Sequence, residues 1–182
     1  MNVKILYIGT VFCTITLLLT GCFGAASHNL TLSPGYVPPP QSRVEVAPVT
    51  NDTGEQFNFD VCSELQTALN EELTRQHLDI ASMPDAQKLV LQARILDYEK
   101  GNAFKRWLWP GYGGTRLIVQ ASLNTPDNKE VGTIRVVRSV EMGGVYSVGE
   151  WKEIFATVAS DIVNDLKQKV ANSPPAEKVA TH

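Results

Sequence analysis

Apolar positions alternate along three stretches of the chain and recur at helical spacing along two others. From Lys88 to Tyr98, Leu89, Leu91, Ala93 and Ile95 face one way and Lys88, Gln92 and Arg94 the other, which predicts a strand with one wet face. Thr115 to Thr125 repeats the arrangement, with Leu117, Val119, Ala121 and Leu123 inward and Arg116, Gln120, Ser122 and Asn124 outward. Pro126-Asp127-Asn128 supplies a turn, because Pro fixes φ and Asp or Asn tolerates a tight bend. The stretch from Val131 to Val140 then pairs back as a hairpin. Its Val136-Val137 pair breaks the alternation and predicts a bulge or burial on both faces. Arg43 to Val49 alternates over a shorter length and stops at Pro48.

Between Phe59 and His77, Val61, Cys62, Leu65, Ala68, Leu69 and Leu73 fall within about 140° of arc, the stripe of an amphipathic helix. A second stripe of about the same width holds Phe155, Val158, Ala159, Ile162, Val163, Leu166 and Val170. Ser147-Val148-Gly149-Glu150 ahead of it fits a capping box. Ser173-Pro174-Pro175 ends it, and the tail, residues 172–182, is expected to be disordered. The predicted order is β-α-β-β-β-α. That is an α+β fold, a mainly antiparallel sheet of about four strands with two helices packed on one face, in a single domain of residues 43–171.

Ahead of the domain, Lys4 is followed by an almost wholly apolar run from Ile5 to Leu19, the form of a secretory signal. At about 15 residues it is shorter than the roughly 18 to 20 of a permanent span. Leu19-Thr20-Gly21-Cys22 resembles the bacterial lipobox. The resemblance implies a thioether-linked diacylglycerol on Cys22, fatty acyl groups such as palmitate, and cleavage just before that cysteine. Residues 1–21 are thus read as a lipoprotein signal peptide. Residues 22–42 follow as lipidated Cys22 and a flexible tether containing Pro38-Pro39-Pro40, with a reach of at most about 60 Å at ~3.1 Å per residue. Two acyl chains and an acylated N-terminus hold lastingly, since each buried methylene contributes roughly 0.8 kcal/mol. Phe23, not Asp, follows Cys22; by likeness to enterobacterial lipoproteins this implies the outer membrane, facing the periplasm.

Without residues 1–21 the balance is about 15 basic to 19 acidic residues, a net charge near −4, which disfavours nucleic acid as a partner. Cys62 is then the one thiol left besides Cys22, so no internal disulfide is expected. Cys62 and His77 stand about 22 Å apart along one helix at 1.5 Å per residue and cannot form a nucleophile–base dyad. His28 and His182 fall in the expected tether and tail, and no Cys or His pair has metal-ligand spacing, so neither metal nor cofactor is expected. Asp97 and Glu99 share one side of a strand end, as acid–base chemistry could use, but no polar cluster surrounds them. The acceptor patterns at Asn29 and Asn51 carry no weight behind a bacterial lipobox.

The most unusual stretch joins two of the strands. Phe104, Lys105, Arg106, Trp107, Trp109 and Tyr112 concentrate aromatic rings beside cations, followed by Gly113-Gly114. Such residues anchor protein partners or meet lipid head groups. Equally, the tryptophans can fold back to cap the sheet. Gly111 to Gly114 lacks the Lys-Ser/Thr ending and the following helix of a phosphate loop. Arg94, Arg116 and Arg135 face outward from successive strands and could form a basic row.

Gly101-Asn102, Arg106, the glycine-rich loop, Pro126-Asp127 and Gly143-Gly144 together resemble a family of small bacterial lipoproteins known as a domain of unknown function. The likeness covers roughly residues 43–171 and implies no catalytic residues. More loosely, the element order is similar to the N-terminal domain of TolB and to lipoprotein activators of peptidoglycan synthases, adaptor domains that bind other proteins. The expectation is a lipid-anchored envelope lipoprotein acting as a non-enzymatic binding or assembly module, with a membrane anchor, an envelope protein as partner and an oligomeric state left open. The alternative is a structural lipoprotein whose aromatic loop touches lipid head groups; an enzyme comes last.

Overall fold

A computed structural model describes residues 28–39, 41–83, 85–101, 114–140 and 152–171. The strands are β1 (Leu30–Leu32), β2 (Arg43–Val46), β3 (Thr50–Asn51), β4 (Lys88–Glu99), β5 (Thr115–Asn124) and β6 (Glu130–Val140). The helices are α1 (Val61–Arg75) and α2 (Glu153–Leu166), with a 3-10 turn at Ile80–Ser82 and a π-helical extension at Lys167–Ala171. The strands form one mixed sheet in the order β1-β6-β5-β4-β2, and β3 lies further along the same edge of β4.

The α+β class holds, but the sheet has six strands, not about four. The β4–β5–β6 meander is antiparallel, whereas β2 and β3 run parallel to β4. Pro48 explains the division between β2 and β3: it has no N–H to give the ladder. Ala47 N–H bonds Leu91 O at 2.9 Å before it, and Val49 N–H turns to Gln66 Oε1 at 3.0 Å after it.

The larger correction concerns the expected tether. Leu30–Leu32 pairs with Gly132–Ile134 of β6, Ser33 N–H donates to Val131 O at 2.9 Å, Tyr36 packs on the core and Ser42 is buried. Residues 28–42 therefore belong to the domain. Two leucines at i and i+2 among Pro and Gly are too few to show a period, and only the β6 edge makes them a strand.

Both helices pack on one face of the sheet and on each other. Asp60 caps α1, its carboxylate accepting from Ser63 N at 2.9 Å. Past the last turn, His77 takes φ 56° and Leu78 N–H returns to Leu73 O at 2.9 Å, closing the helix. The expected inward sets of β4 and β5 and both helical stripes form the core, with Cys62 and Ala68 only partly buried at its margin. The bulges fall elsewhere than expected. β6 is regular through Val136 and Val137, while the register shifts between Ile95 and Asp97 and between Leu123 and Asn124. The second shift leaves Val131 of β6 without a partner on β5, and beside it Asn124 is buried rather than solvated.

Candidate functional site

The described features worth weighing as a site gather where β4 ends, β5 begins and β6 ends. Glu99 pairs with Arg116, Arg116 with Ser139, and Thr115 with Val140, so all three strands terminate together. Gly101 N–H donates to Thr115 Oγ1 at 3.2 Å and draws together the two ends of the β4–β5 connection. Phe104, Lys105, Arg106, Trp107, Trp109 and Tyr112, which that connection carries, lie outside the described residues, as do Cys22 and the Ser147–Glu150 capping box.

Beneath this end lies an aromatic cluster. The Tyr98 ring is 5.2 Å from Phe57, 5.7 Å from Phe59 and 5.4 Å from Phe155, centroid to centroid, the first two edge-to-face. The Lys100 ammonium stands 5.7 Å over the Phe59 ring. Tyr98 is buried, and its hydroxyl has no hydrogen-bond partner among the described residues. Burial, and secondarily the charge of Glu64, pushes its phenol up to about 12. Nearby, Lys152 joins the start of α2 to Glu64 of α1 at 2.7 Å.

A second polar group ties the N-terminal strand to α2. Asp161 and Asp165, one turn apart, are buried carboxylates. Arg138 of β6 grips Asp161 with Nε at 2.5 Å and Nη2 at 2.6 Å, a bidentate pair that holds the guanidinium further into its charged form. Asp165 accepts the Leu30 N–H at 3.0 Å. His28 stands between the two, Nδ1 3.2 Å from Asp165 and Nε2 3.5 Å from Asp161. Pattern reading missed this clasp, although the signal existed: two aspartates at i and i+4 bordering an apolar stripe have to find partners once the stripe is buried.

The other candidates are not brought together. Arg94 and Arg135 flank Gln120 in register, but Arg116 stands further along beside Ser139, so no single row forms. Arg94 faces Asp52 and Arg116 faces Asp97, each at 3.6 Å. Thus Asp97 has a cation rather than a second carboxylate as its nearest charge. Cys62 is a free thiol that burial and the charges of Asp60 and Asp52 push up, away from the thiolate. Among the described residues no group of His, Cys, Asp and Glu could hold a metal ion, and no helix is long and apolar enough to cross a membrane.

Comparison with known proteins agrees with this fold. The PelC dodecamer from Paraburkholderia phytofirmans superposes with a TM-score of 0.53 at 13% identity, covering 81% of this chain and 99% of that one. A point variant of the same dodecamer gives 0.53 at 12% identity over the same shares. A candidate lipoprotein from Caulobacter crescentus gives 0.48 at 15% identity, covering 75% of this chain and 94% of that one. No curated protein matches the sequence. Residues 29–144 match the family described as a domain of unknown function (DUF4410), a span that takes in β1 and starts well before residue 43; the chain belongs to that family.

Proposed function

We propose that this protein is a lipid-anchored lipoprotein of the bacterial envelope, held at the outer membrane facing the periplasm, where its domain is a non-enzymatic binding or assembly module. Its first partners are further copies of itself. The observation that carries this is the likeness of nearly the whole domain to PelC, a protein crystallised as a dodecamer. The sheet face opposite the two helices carries Gln92, Gln120 and Arg135 on three neighbouring strands and, among the described residues, has no helix on it, so it offers polar contact area to a partner. The non-enzymatic part is supported by the engagement of the candidate groups: Asp97 with Arg116, His28 with two carboxylates, Cys62 at the core margin. Adaptor roles of the TolB type belong to the same reading. Cross-linking of the full-length protein in cells, followed by mass spectrometry, tests it. Links between copies, or to one reproducible envelope protein, weakened by Trp107→Ala with Trp109→Ala, are expected. No specific link, or a turnover dependent on Asp97, contradicts it.

The second reading has the β4–β5 connection touching lipid. It is favoured by the placement of Gly101 and Thr115 at the same end of the sheet as His28, where the chain arrives from Cys22. Membrane association that survives Cys22→Ala in a protein freed of its leader, and is lost when both tryptophans go, supports this reading.

A further inference from the structure

We infer that the clasp at His28 sets which way the domain stands on the membrane: the end carrying Glu99, Lys100, Thr115 and Ser139 faces the phospholipid surface, and the Pro126–Asn128 turn points away. The inference rests on the proposed lipid at Cys22.

Chain reach limits how the domain can stand. A fully extended chain spans about 3.3–3.6 Å per residue, so the Cα of Cys22 lies no more than about 20 Å from that of His28. His28 is not free to drift, because Asp161 and Asp165 hold its ring and Asp165 also holds the Leu30 N–H. Its height on the sheet follows from β1, where Leu30 pairs with Ile134 of β6, so that His28, two residues earlier, comes level with Val136. Val136 is four residues from the end of β6, about 13 Å, and six from its start at Glu130, about 20 Å, at ~3.3 Å per strand residue.

With the Pro126–Asn128 turn on the bilayer, His28 would stand about 20 Å above Glu130 and further above the turn beyond it, past the ~20 Å the chain allows. With the Ser139 end down, the required height is about 13 Å, within reach. A free tether of 20 residues would permit both. It is the docking of residues 28–42 on the domain that removes the choice. Both ends of the β4–β5 connection, Gly101 and Thr115, are thereby brought to the lipid side.

The test is energy transfer from a donor on the full-length lipidated protein, in a Cys62→Ser background, to acceptor-labelled lipid in vesicles of phosphatidylethanolamine and phosphatidylglycerol. Ser139→Cys and Asp127→Cys place the donor at opposite ends, both exposed. Higher transfer from position 139 than from 127 is expected. About ten Gly/Ser residues inserted between Ser27 and His28 lengthen the path without touching the clasp and should erase most of that difference. Intact mass of the same samples reports the lipid. Equal transfer from both positions in lipidated protein of normal length, or a difference unchanged by the insertion, overturns the orientation alone. Protein without lipid on Cys22 overturns the anchor reading and the orientation with it.

Discussion

Asp161 is the residue on which the N-terminal clasp turns. It faces Arg138 in a bidentate pair and stands 3.5 Å from His28. Removing one partner of a buried pair leaves the other charge uncompensated, so Asp161→Ala should cost about 3 kcal/mol. Urea unfolding measures it, and Arg138→Met in the same chain should recover part of the loss. Tyr98 behaves oppositely, since its buried hydroxyl has no partner among the described residues. Tyr98→Phe removes a desolvated polar group and should leave stability unchanged or raise it by up to about 1 kcal/mol. The phenol also has a pH signature. Its value is raised from 10.0 to about 12 in the fold, so its contribution is fully present below pH 10 and is lost as pH rises through about 12. Stability measured across that window should fall less steeply in Tyr98→Phe.

At the scale of elements, β1 is the addition that changes the account. It lies so close to β6 that a Cβ on Gly132 would meet Leu32 Cδ2 at 3.0 Å and the Thr31 carbonyl at 3.2 Å. Gly132→Val should therefore lift β1 from the edge. Hydrogen exchange should then quicken at Leu30 and Ser33, whose amides bond Asp165 and Val131, while the β4–β5 ladder stays protected. The sequence shows the long elements because each carries its own period: four alternating apolar residues in β4 and four turns of apolar stripe along α2 and its extension repeat often enough to be read. β1 and β3 are three and two residues long and exist through pairing with distant strands, Gly132–Ile134 and Arg94–Ile95, which no local pattern encodes. The bulges in β4 and β6 were equally hidden. They arise where neighbouring strands must stay in register, whereas the irregular Val136-Val137 pair fits an unbroken ladder.

For the whole molecule, the two helices and the sheet share one core, with Leu65, Leu69 and Leu73 of α1 meeting the α2 stripe over β4 and β5. Leu65→Ala should lower stability by about 2 to 5 kcal/mol with a single cooperative transition, as expected when one core serves every element. Of the candidate site, the unusual composition from Phe104 to Tyr112 was legible, but its relation to the proposed anchor at Cys22 was not. That relation depends on where β1 docks and on a clasp formed between residues more than a hundred positions apart. Under the proposed function this domain is held close to a lipid on Cys22, and it shares its fold with a protein crystallised as a dodecamer. Native mass spectrometry of the full protein extracted in mild detergent reads both properties at once. A chain beginning at an acylated Cys22 and present as a homo-oligomer is expected; an unacylated chain, or a monomer at every concentration, would contradict the proposed function.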